Sequence, residues 1–262
     1  MNLPKTFSTL TDAQWKEELF FALANGDLFL VFQPKVCDGE VVSFEGLCRW
    51  NHERYGMIPP DIFIDHAEQN SIIHELGRYV VLEACKFISA LMSSGVKANV
   101  SINVSPVQLM NGNGSGFATF LTKTCRLFNV SPSQLIVEVT ESAEIERDDV
   151  LSSLRLVKSG GHLIALDDFG TGYSSYGVFN CLEINQLKVD RSFVNASNTL
   201  VGEIVIDSII GLGKKLGMDV VVEGIETLEQ HEFLSRYDGL ILQGYYYYPP
   251  LGFEDAINKA AS

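Results

Sequence analysis

The sequence predicts an α/β fold, a TIM-like (β/α)8 barrel with an antiparallel first strand. Eight short apolar runs, rich in β-branched residues, alternate with segments that are mostly helical in character. Only residues 34–40 separate the first two runs, too few for a crossover helix, so these two strands should pair antiparallel. From the second run onward, the alternation of strand and helix implies parallel pairing. Eight strands with outer helices in about 250 residues match the size of a single barrel of this class.

The predicted strands, in order, cover residues 28–33, 41–47, 99–104, 135–139, 163–167, 186–190, 219–223 and 240–243. Because the first strand begins at Leu28, residues 1–27 are predicted to form an N-terminal helical lead-in, and residues 28–262 the barrel domain. No long linker, low-complexity tract or repeat of fixed period divides the chain further.

Helical periodicity marks three of the connections, residues 72–91, 148–158 and 200–216. The last of these ends at Gly217, a residue type that readily caps the C-terminus of a helix. Thr227 is the first residue of a capping-box motif, which predicts the start of the next helix. Residues 111–116 carry three glycines at alternate positions, match no phosphate-binding spacing, and are predicted to form a surface loop.

The composition narrows the class of function. With 33 acidic and 19 basic residues, the net charge of -14 disfavours general binding to nucleic acid, because most of the surface would repel a polyanion. No apolar window is long enough for a membrane helix and no secretion signal opens the chain, so we expect a cytoplasmic protein. The five cysteines are an odd number without a C-x-x-C pair, which argues against a disulfide framework or a cysteine zinc site.

Nearly every apolar run ends in a polar residue able to bind a metal ion, a phosphate or a base. The carboxyl ends of barrel strands share one face, where active sites are built, so these residues should meet in one pocket. They are Glu45, Asn103, Glu138, Asp167, Asp168, Lys188, Glu223 and Gln243. Taken singly, each is most often a solvated strand end. Together, the five carboxylates would repel one another unless cations were present, and divalent metals are the economical explanation.

The kind of metal follows from the kind of ligand. Oxygen donors without a matching set of histidines or cysteines favour Mg²⁺ or Mn²⁺ over zinc. Adjacent Asp167 and Asp168 can each face a different cation, which would give a two-metal site that activates water and holds a phosphoryl oxygen. The pattern therefore predicts hydrolysis of a phosphoester by in-line displacement. The glycines after Asp168 predict a tight, mobile loop that could make activity sensitive to a neighbour.

Several sequence blocks occur together in a fixed order. They are Phe32-Gln-Pro, Glu45-Gly-Leu-Cys-Arg-Trp, Ile102-Asn-Val-Ser, Glu138-Val-Thr-Glu-Ser, Asp167-Asp-Phe-Gly-Thr-Gly-Tyr-Ser-Ser, Leu187-Lys-Val-Asp-Arg-Ser-Phe-Val, Glu223-Gly-Ile-Glu-Thr and Gln243-Gly-Tyr. From about Leu28 to Phe253, these blocks resemble the bacterial EAL domain family, which is named for a Glu-Ala-Leu signature. Gly46 replaces the signature alanine, which should cost roughly 0.5–1 kcal/mol of local backbone stability without removing a ligand.

The resemblance implies a phosphodiesterase that performs metal-dependent hydrolysis of cyclic di-GMP to linear 5′-pGpG, in a barrel with one reversed strand. It also implies two bound divalent cations, Mg²⁺ or Mn²⁺. The ligands of these cations would be Glu45, Asn103, Glu138, Asp167, Asp168 and Glu223. Lys188 resembles the residue that orients the attacking water, and Glu223 also resembles a catalytic base.

Further roles are implied by the same resemblance. Positions that hold the guanine or phosphate of the substrate are matched by Gln33, Leu47, Arg49 and Gln243, with Asp190 grouped among them. Glu141 resembles a carboxylate that pins the mobile loop, and Asp190 and Glu226 resemble residues that support the metal ligands. Relatives often dimerise beside the loop, so a homodimer is expected, and a regulatory protein partner is a further expectation.

Two other functions stay open at this point. A module that binds cyclic di-GMP or docks another protein without turnover would share the fold, although such relatives typically lack metal carboxylates or the loop, and none is missing here. An enolase-type barrel that abstracts a proton beside a carboxylate usually follows a substantial capping domain, whereas about 27 residues precede the first strand here. A metal-dependent turnover assay with cyclic di-GMP separates the enzyme from the binding module.

Overall fold

The computed structural model describes residues 10–110, 112–171 and 176–261. Within them the chain forms the strands β1 (Leu28–Cys37), β2 (Glu40–His52), β3 (Gly56–Ile58), β4 (Asn99–Asn103), β5 (Leu135–Thr140), β6 (Leu163–Phe169), β7 (Gln186–Val189), β8 (Asp219–Val222) and β9 (Ile241–Leu242). The α-helices of the same residues are α1 (Asp12–Asn25), α2 (Pro60–Gln69), α3 (Ile73–Ser93), α4 (Asn113–Leu127), α5 (Asp148–Ser159), α6 (Tyr176–Cys181), α7 (Arg191–Asn195), α8 (Leu200–Lys215), α9 (Leu228–Leu234) and α10 (Phe253–Ala260). All eight predicted strands are present, with shifted ends.

Eight of the strands close into a barrel in the order β1, β2, β4, β5, β6, β7, β8 and β9, and β9 pairs back to β1. Neighbours from β2 round to β9 run parallel, whereas β1 is antiparallel to both β2 and β9. The predicted fold class, a TIM-like barrel with an antiparallel first strand, is therefore confirmed. Parallel strands place their carboxyl ends at one mouth of the barrel, and that mouth holds the candidate site.

The reversed strand follows from the turn between β1 and β2. Asp38 and Gly39 both adopt positive φ, 51° and 85°, which is the backbone of a two-residue hairpin turn that suits an Asp-Gly pair. Cys37 pairs with Glu40 across this turn. The hairpin is longer than the sequence predicted, because β1 continues to Cys37 rather than ending at the predicted boundary.

Two segments depart from the sequence prediction. β3, which was not predicted, pairs antiparallel with the end of β2, outside the closed ring of strands. The predicted surface loop at residues 111–116 instead contains the beginning of α4, which Gly112 precedes at φ 79°. A Cβ at Gly114 would collide with the side chain of Ser153 on α5, so this glycine allows α4 and α5 to pack closely. Asn111 lies outside the described residues.

The core joins the barrel wall to the helices around it. Phe32 of β1 and Phe87 of α3 stack with ring centroids 3.7 Å apart, and Phe44 of β2 meets Phe87 edge-on at 5.2 Å. All three side chains are buried, and burial of each contributes roughly 1.5–3 kcal/mol. Trp15 and Leu19 of α1 belong to the same hydrophobic core as the barrel, so the division of the chain at residue 28 stays a prediction.

Helix boundaries follow local signals in the sequence. Gly217 follows α8 at φ 73°, in the left-handed conformation expected of a helix cap. The predicted capping box at Thr227 opens α9, and the Thr227 side chain accepts a hydrogen bond from the Gln230 N–H. In the described part of the chain, no helix combines the length and the apolar character that crossing a membrane requires.

Candidate active site

The acidic residues predicted at the strand ends converge on one buried ammonium group, that of Lys188 on β7. The carboxylates belong to Glu45 on β2, Glu138 on β5, Asp167 on β6 and Glu223 directly after β8. Their distances from Lys188 Nζ are 2.7 Å to Glu138 Oε2, 2.7 Å to Glu223 Oε1, 2.9 Å to Asp167 Oδ2 and 3.8 Å to Glu45 Oε1. The Lys188 side chain is 1% exposed. Four distant segments of the chain therefore meet at the mouth of the barrel.

A second buried ammonium, that of Lys35 on β1, also belongs to this cluster, and sequence reasoning missed it. Lys35 Nζ lies 2.8 Å from Glu138 Oε1 and donates to Ser101 Oγ at 2.7 Å. The signal that could have found it is the two-residue period of a strand, which places Lys35 on the same side of β1 as Gln33. The predicted strand covers residues 28–33 and ends before Lys35, whereas β1 continues to Cys37.

Burial and charge shift the pKa values of the cluster in different directions. Burial raises the pKa of Glu138, but the ammonium groups of Lys188 and Lys35 outweigh it and hold that pKa well below its ordinary value. Burial raises the pKa of Asp167 to about 6 and that of Glu223 to about 8; the neighbouring carboxylates add to this shift and Lys188 opposes it. Although burial disfavours its charged form, the surrounding carboxylates raise the pKa of Lys188. Asp167 and Glu223 thus hold protons more tightly than ordinary carboxyl groups, whereas Glu138 holds its proton less tightly.

Amide side chains fix the position of Glu45. Asn103 Nδ2 donates to Glu45 Oε1 at 2.8 Å, and Gln243 Nε2 donates to Glu45 Oε2 at 2.8 Å. The same Gln243 amide lies 3.1 Å from Gln33 Oε1, and Gln33 Nε2 donates to the carbonyl of Tyr248 at 3.1 Å. Two of the predicted site residues, Asn103 and Gln243, therefore hold the carboxylate of Glu45, and Gln33 holds Gln243 in turn.

The backbone after β6 is held in an unusual conformation beside the cluster. Asp168 has a φ of 54°, in the left-handed region where a residue other than glycine is strained. Its N–H donates to Asp167 Oδ1 at 2.9 Å, and the N–H of Gly170 donates to Glu141 Oε2 at 2.7 Å. Burial and the nearby carboxylate of Asp190 raise the pKa of Asp168. The predicted loop continues into residues 172–175, which lie outside the described residues.

A cavity of about 320 Å³ opens beside the cluster, between the ends of β2 and β4 and the helices α2 and α3. Leu47, Arg49, Asn103 and Glu138 are among the residues that line it. Arg49 Nη1 donates to the carbonyl of Cys48 at 2.8 Å, so the guanidinium is partly fixed in the wall. The cavity connects two of the predicted substrate-binding residues with two of the predicted metal ligands.

The remaining predicted residues lie further along the mouth. Asp190 Oδ1 accepts the N–H of Ser192 at 2.9 Å and thereby caps α7. Glu226 is exposed, and the contact that the structure gives it runs through its main-chain N–H, which donates to Gln230 Oε1 at 2.7 Å. Asp190 is linked to the site by its charge, which contributes to the raised pKa of Asp168, and Glu226 lies just before the start of α9.

The carboxylate cluster fits a metal centre in composition and charge. Hard divalent cations prefer oxygen ligands, and a cation would relieve the repulsion that raises the pKa values of Asp167 and Glu223. In the part of the chain that the structure describes, no group of three or more acidic, histidine or cysteine side chains is already spaced to hold a metal ion. The carboxylates instead turn toward Lys188. Metal binding would require them to rotate away from this ammonium.

The fold and the cluster define the class of the protein, a β/α barrel with a cluster of carboxylates around a buried lysine at the carboxyl ends of its strands. The sequence pattern of the EAL domain family matches residues 16–250. The chain belongs to the EAL domain family.

Relatives and a solved structure resemble most of this chain. The bifunctional diguanylate cyclase/cyclic di-GMP phosphodiesterase MucR of Pseudomonas aeruginosa is 33% identical over 253 residues, which are 95% of this chain and 36% of MucR. The cyclic di-GMP phosphodiesterase PdeR of Escherichia coli is 33% identical over 233 residues, 88% of this chain and 35% of PdeR. The chain thus spans about a third of the length of these relatives. A solved structure of the PaMucR phosphodiesterase in complex with c-di-GMP has a TM-score of 0.85 and 34% identity, and the match covers 93% of this chain and 99% of that one.

Proposed function

We propose that this EAL domain is a phosphodiesterase that hydrolyses cyclic di-GMP to linear 5′-pGpG. The observation that carries the proposal is the convergence of four carboxylates, from β2, β5, β6 and the end of β8, on Lys188. An acidic centre of this kind suits attack on a phosphodiester, because it can hold cations that neutralise the phosphate. The names of MucR and PdeR support the same substrate.

In the proposed reaction, a water oxygen attacks the phosphorus, the bond from phosphorus to the 3′ oxygen breaks, and the 3′ oxygen takes a proton. Lys188 Nζ and Glu223 Oε1 lie 2.7 Å apart, so both can contact a single water molecule. Lys188 orients this water and Glu223 accepts its proton. These two residues therefore have the catalytic roles in the proposal.

The substrate would occupy the cavity beside the cluster. Leu47 lines this cavity with apolar surface for a base, and Arg49 offers a guanidinium for a phosphate. Gln33 and Gln243, which are bonded to each other at the mouth, would contact the guanine or phosphate from the other side of Glu45. Asp190 is also proposed as a substrate-binding residue. Glu226 is proposed to support the metal ligands. The hydrogen bond from Gly170 to Glu141 supports the proposal that Glu141 pins the loop after β6.

Two divalent cations, Mg²⁺ or Mn²⁺, are proposed to complete the site. When bound, such cations lower the pKa of a water molecule and neutralise charge on the phosphoryl oxygens. The proposed ligands are Glu45, Asn103, Glu138, Asp167, Asp168 and Glu223. Asn103 and Gln243 already hold both oxygens of Glu45, which restricts how that carboxylate can turn.

The test incubates the purified chain with cyclic di-GMP and either Mg²⁺ or Mn²⁺ and measures linear product by chromatography. Glu45→Gln keeps the size of the side chain but removes a charge that faces Lys188. It should lower turnover more than about 100-fold, because even the outer partners of metal ligands are worth about 10–100-fold. The matched control Glu254→Gln changes an exposed carboxylate on α10 and should leave turnover unchanged. Absence of product with both metals would refute the proposal.

A second candidate function is binding of cyclic di-GMP without turnover. One observation favours it: the ammonium of Lys188 stands among the carboxylates, and in the described residues no ligand set is spaced for a metal ion. Calorimetry that shows tight nucleotide binding, beside undetectable hydrolysis with either metal, would support this candidate over the enzyme.

We also propose that the chain forms a homodimer through α8. Leu200, Val201 and Ile204 are 74%, 71% and 54% exposed, and apolar side chains exposed together mark an interaction surface. The buried side of α8 faces the loop after β6, since a Cβ at Gly170 would lie 3.6 Å from Ile209 Cδ1. Light scattering should give a dimer mass for the wild type and a monomer mass for Ile204→Glu; a monomeric wild type would refute the proposal.

A regulatory protein partner and a cytoplasmic location stay predictions.

A further inference from the structure

The carboxylate of Glu138 lies between two buried ammonium groups. Lys188 Nζ lies 2.7 Å from its Oε2, and Lys35 Nζ lies 2.8 Å from its Oε1. The side chains of Glu138, Lys188 and Lys35 are 0%, 1% and 2% exposed. A carboxylate whose two oxygens each bind a different ammonium cannot rotate without breaking an ion pair in a water-poor environment, where ion pairs are strong. The two lysines therefore fix its orientation.

The position of Lys35 is itself fixed by the barrel wall. Lys35 Nζ donates to Ser101 Oγ at 2.7 Å, and the Ser101 hydroxyl donates to the carbonyl of Phe44 at 3.3 Å. Lys35, Ser101 and Phe44 lie on the neighbouring strands β1, β4 and β2, and all three are buried. The contacts of Lys35 thus run from the strand backbone to the carboxylate of Glu138.

We propose that Lys35 is a positioning residue, which holds Oε1 of Glu138 so that this carboxylate presents only Oε2 to the mouth of the barrel. This role rests on the proposed metal centre. Lys188 and an incoming cation would compete for Oε2. Without Lys35, both oxygens of Glu138 would be free to turn toward Lys188, the pair would tighten, and a cation would displace the ammonium less readily.

If Lys35 acted only through its positive charge, its removal would change the metal affinity in the opposite direction. Removing a positive charge from the neighbourhood of a cation site lowers the repulsion on the cation, so metal binding would become tighter. The positioning role predicts weaker binding. The sign of the change in metal affinity therefore separates the two explanations.

The first experiment replaces Lys35 by methionine, an unbranched apolar side chain, and measures Mn²⁺ binding to the metal-stripped protein by calorimetry. The dissociation constant should rise about 10- to 100-fold, the range measured for partners that orient metal ligands. The matched control is Lys86→Met, because Lys86 pairs with Glu83 on the surface of α3; its dissociation constant should equal that of the wild type. Unchanged or tighter Mn²⁺ binding in Lys35→Met would overturn the positioning role.

A second variant keeps the test decisive if Lys35→Met does not fold. Ser101→Ala retains both lysines and every charge but removes the hydroxyl that anchors Lys35. It should weaken Mn²⁺ binding in the same direction by a smaller factor, with circular dichroism showing an intact fold. An unchanged Mn²⁺ dissociation constant in folded Ser101→Ala overturns the proposal.

The outcomes for Lys35 and for the phosphodiesterase are distinguishable. A wild type that binds Mn²⁺ but forms no linear product refutes the proposed hydrolysis, while the affinities of the variants still decide the role of Lys35. A wild type that hydrolyses cyclic di-GMP, beside a Lys35→Met protein with unchanged Mn²⁺ affinity, refutes the positioning role alone. A wild type that binds no Mn²⁺ overturns the role of Lys35 directly.

Discussion

The mouth of the barrel and the aromatic layer between the barrel wall and α3 are equally buried, but they bury opposite kinds of side chain. At the mouth, Glu138 and Lys188 carry charge while 0% and 1% exposed. In the layer, Phe32, Phe44 and Phe87 are also almost fully buried, and all are apolar. Burial of apolar surface stabilises a fold, whereas burial of charge costs free energy that ion pairs only partly offset. The layer therefore holds the barrel together, and the mouth carries its chemistry.

This contrast predicts that substitutions in the two regions change different measurements. A substitution at the mouth should alter turnover far more than stability, and a substitution in the layer should do the reverse. At the mouth, burial and neighbouring carboxylates raise the pKa of Glu223, so neutralising this carboxylate should not weaken the fold of the metal-free protein.

The largest expected effect is on turnover, in Glu223→Gln. This substitution removes the proposed base and a proposed metal ligand, and general bases contribute about 10²–10⁴-fold to rate. We expect turnover of cyclic di-GMP to fall by at least this factor, with a free energy of unfolding no lower than that of the wild type. The control Glu232→Gln changes an exposed carboxylate on α9. Turnover within a few-fold of wild type in Glu223→Gln would remove Glu223 from the catalytic roles.

The second largest expected effect is a loss of stability in the variant Phe87→Ala. Phe87 packs on Phe32 and Phe44, and truncation of a buried phenylalanine typically costs about 3–5 kcal/mol. Urea unfolding should show this loss, while turnover per folded molecule stays at the wild-type value. If the folded fraction of Phe87→Ala lost turnover as strongly as Glu223→Gln, the separation between layer and mouth would be wrong.

The sequence could predict the barrel because its signals are local. Alternation of apolar residues marks each strand, and the short connection after the first strand requires the antiparallel pair. The acidic mouth could also be predicted, because the position of a residue at a strand end decides which face of the barrel it joins.

Lys35 was missed because the predicted first strand ends before it, whereas β1 continues to Cys37. A lysine usually faces water, and the partner that makes its burial tolerable, Glu138, is 103 residues away in the chain. Only the closed barrel brings β1 and β5 to the same interior. The start of α4 was missed for a similar reason, since Gly114 is needed where the helix meets Ser153 of α5, a contact that the local glycine pattern does not reveal.

Glu223 at the mouth and the buried His162, which directly precedes β6, should respond in opposite directions to pH. Burial raises the pKa of Glu223 to about 8, so the folded state holds its proton more tightly and stability falls as pH rises from the ordinary glutamate range toward 8. Burial lowers the pKa of His162, whose Nδ1 lies 3.3 Å from the carbonyl oxygen of Leu135, so stability falls as pH drops below the ordinary histidine range. In metal-free protein, the stability gained by Glu223→Gln over wild type should grow toward pH 8, and that gained by His162→Gln should grow as pH falls. Unfolding free energies between pH 5 and 9, compared pairwise with wild type, measure both; parallel curves would contradict the opposite responses.

The smallest expected effect lies where the two regions meet, at Gly46 beside Glu45. A Cβ at Gly46 would stand 3.5 Å from the carbonyl oxygen of Ser101, 3.6 Å from Leu30 Cδ1 and 3.7 Å from Ile102 Cγ2, all ordinary contacts. Gly46→Ala should therefore raise the free energy of unfolding by about 0.5–1 kcal/mol, because alanine loses less backbone freedom on folding. Gly213→Ala is the matched contrast, since its Cβ would lie 2.6 Å from Val220 Cγ2 and overpacking of this kind typically costs about 1–3 kcal/mol. Chemical unfolding of the two variants should give changes of opposite sign, and a loss of stability in Gly46→Ala would show that the strand beside Glu45 requires a glycine.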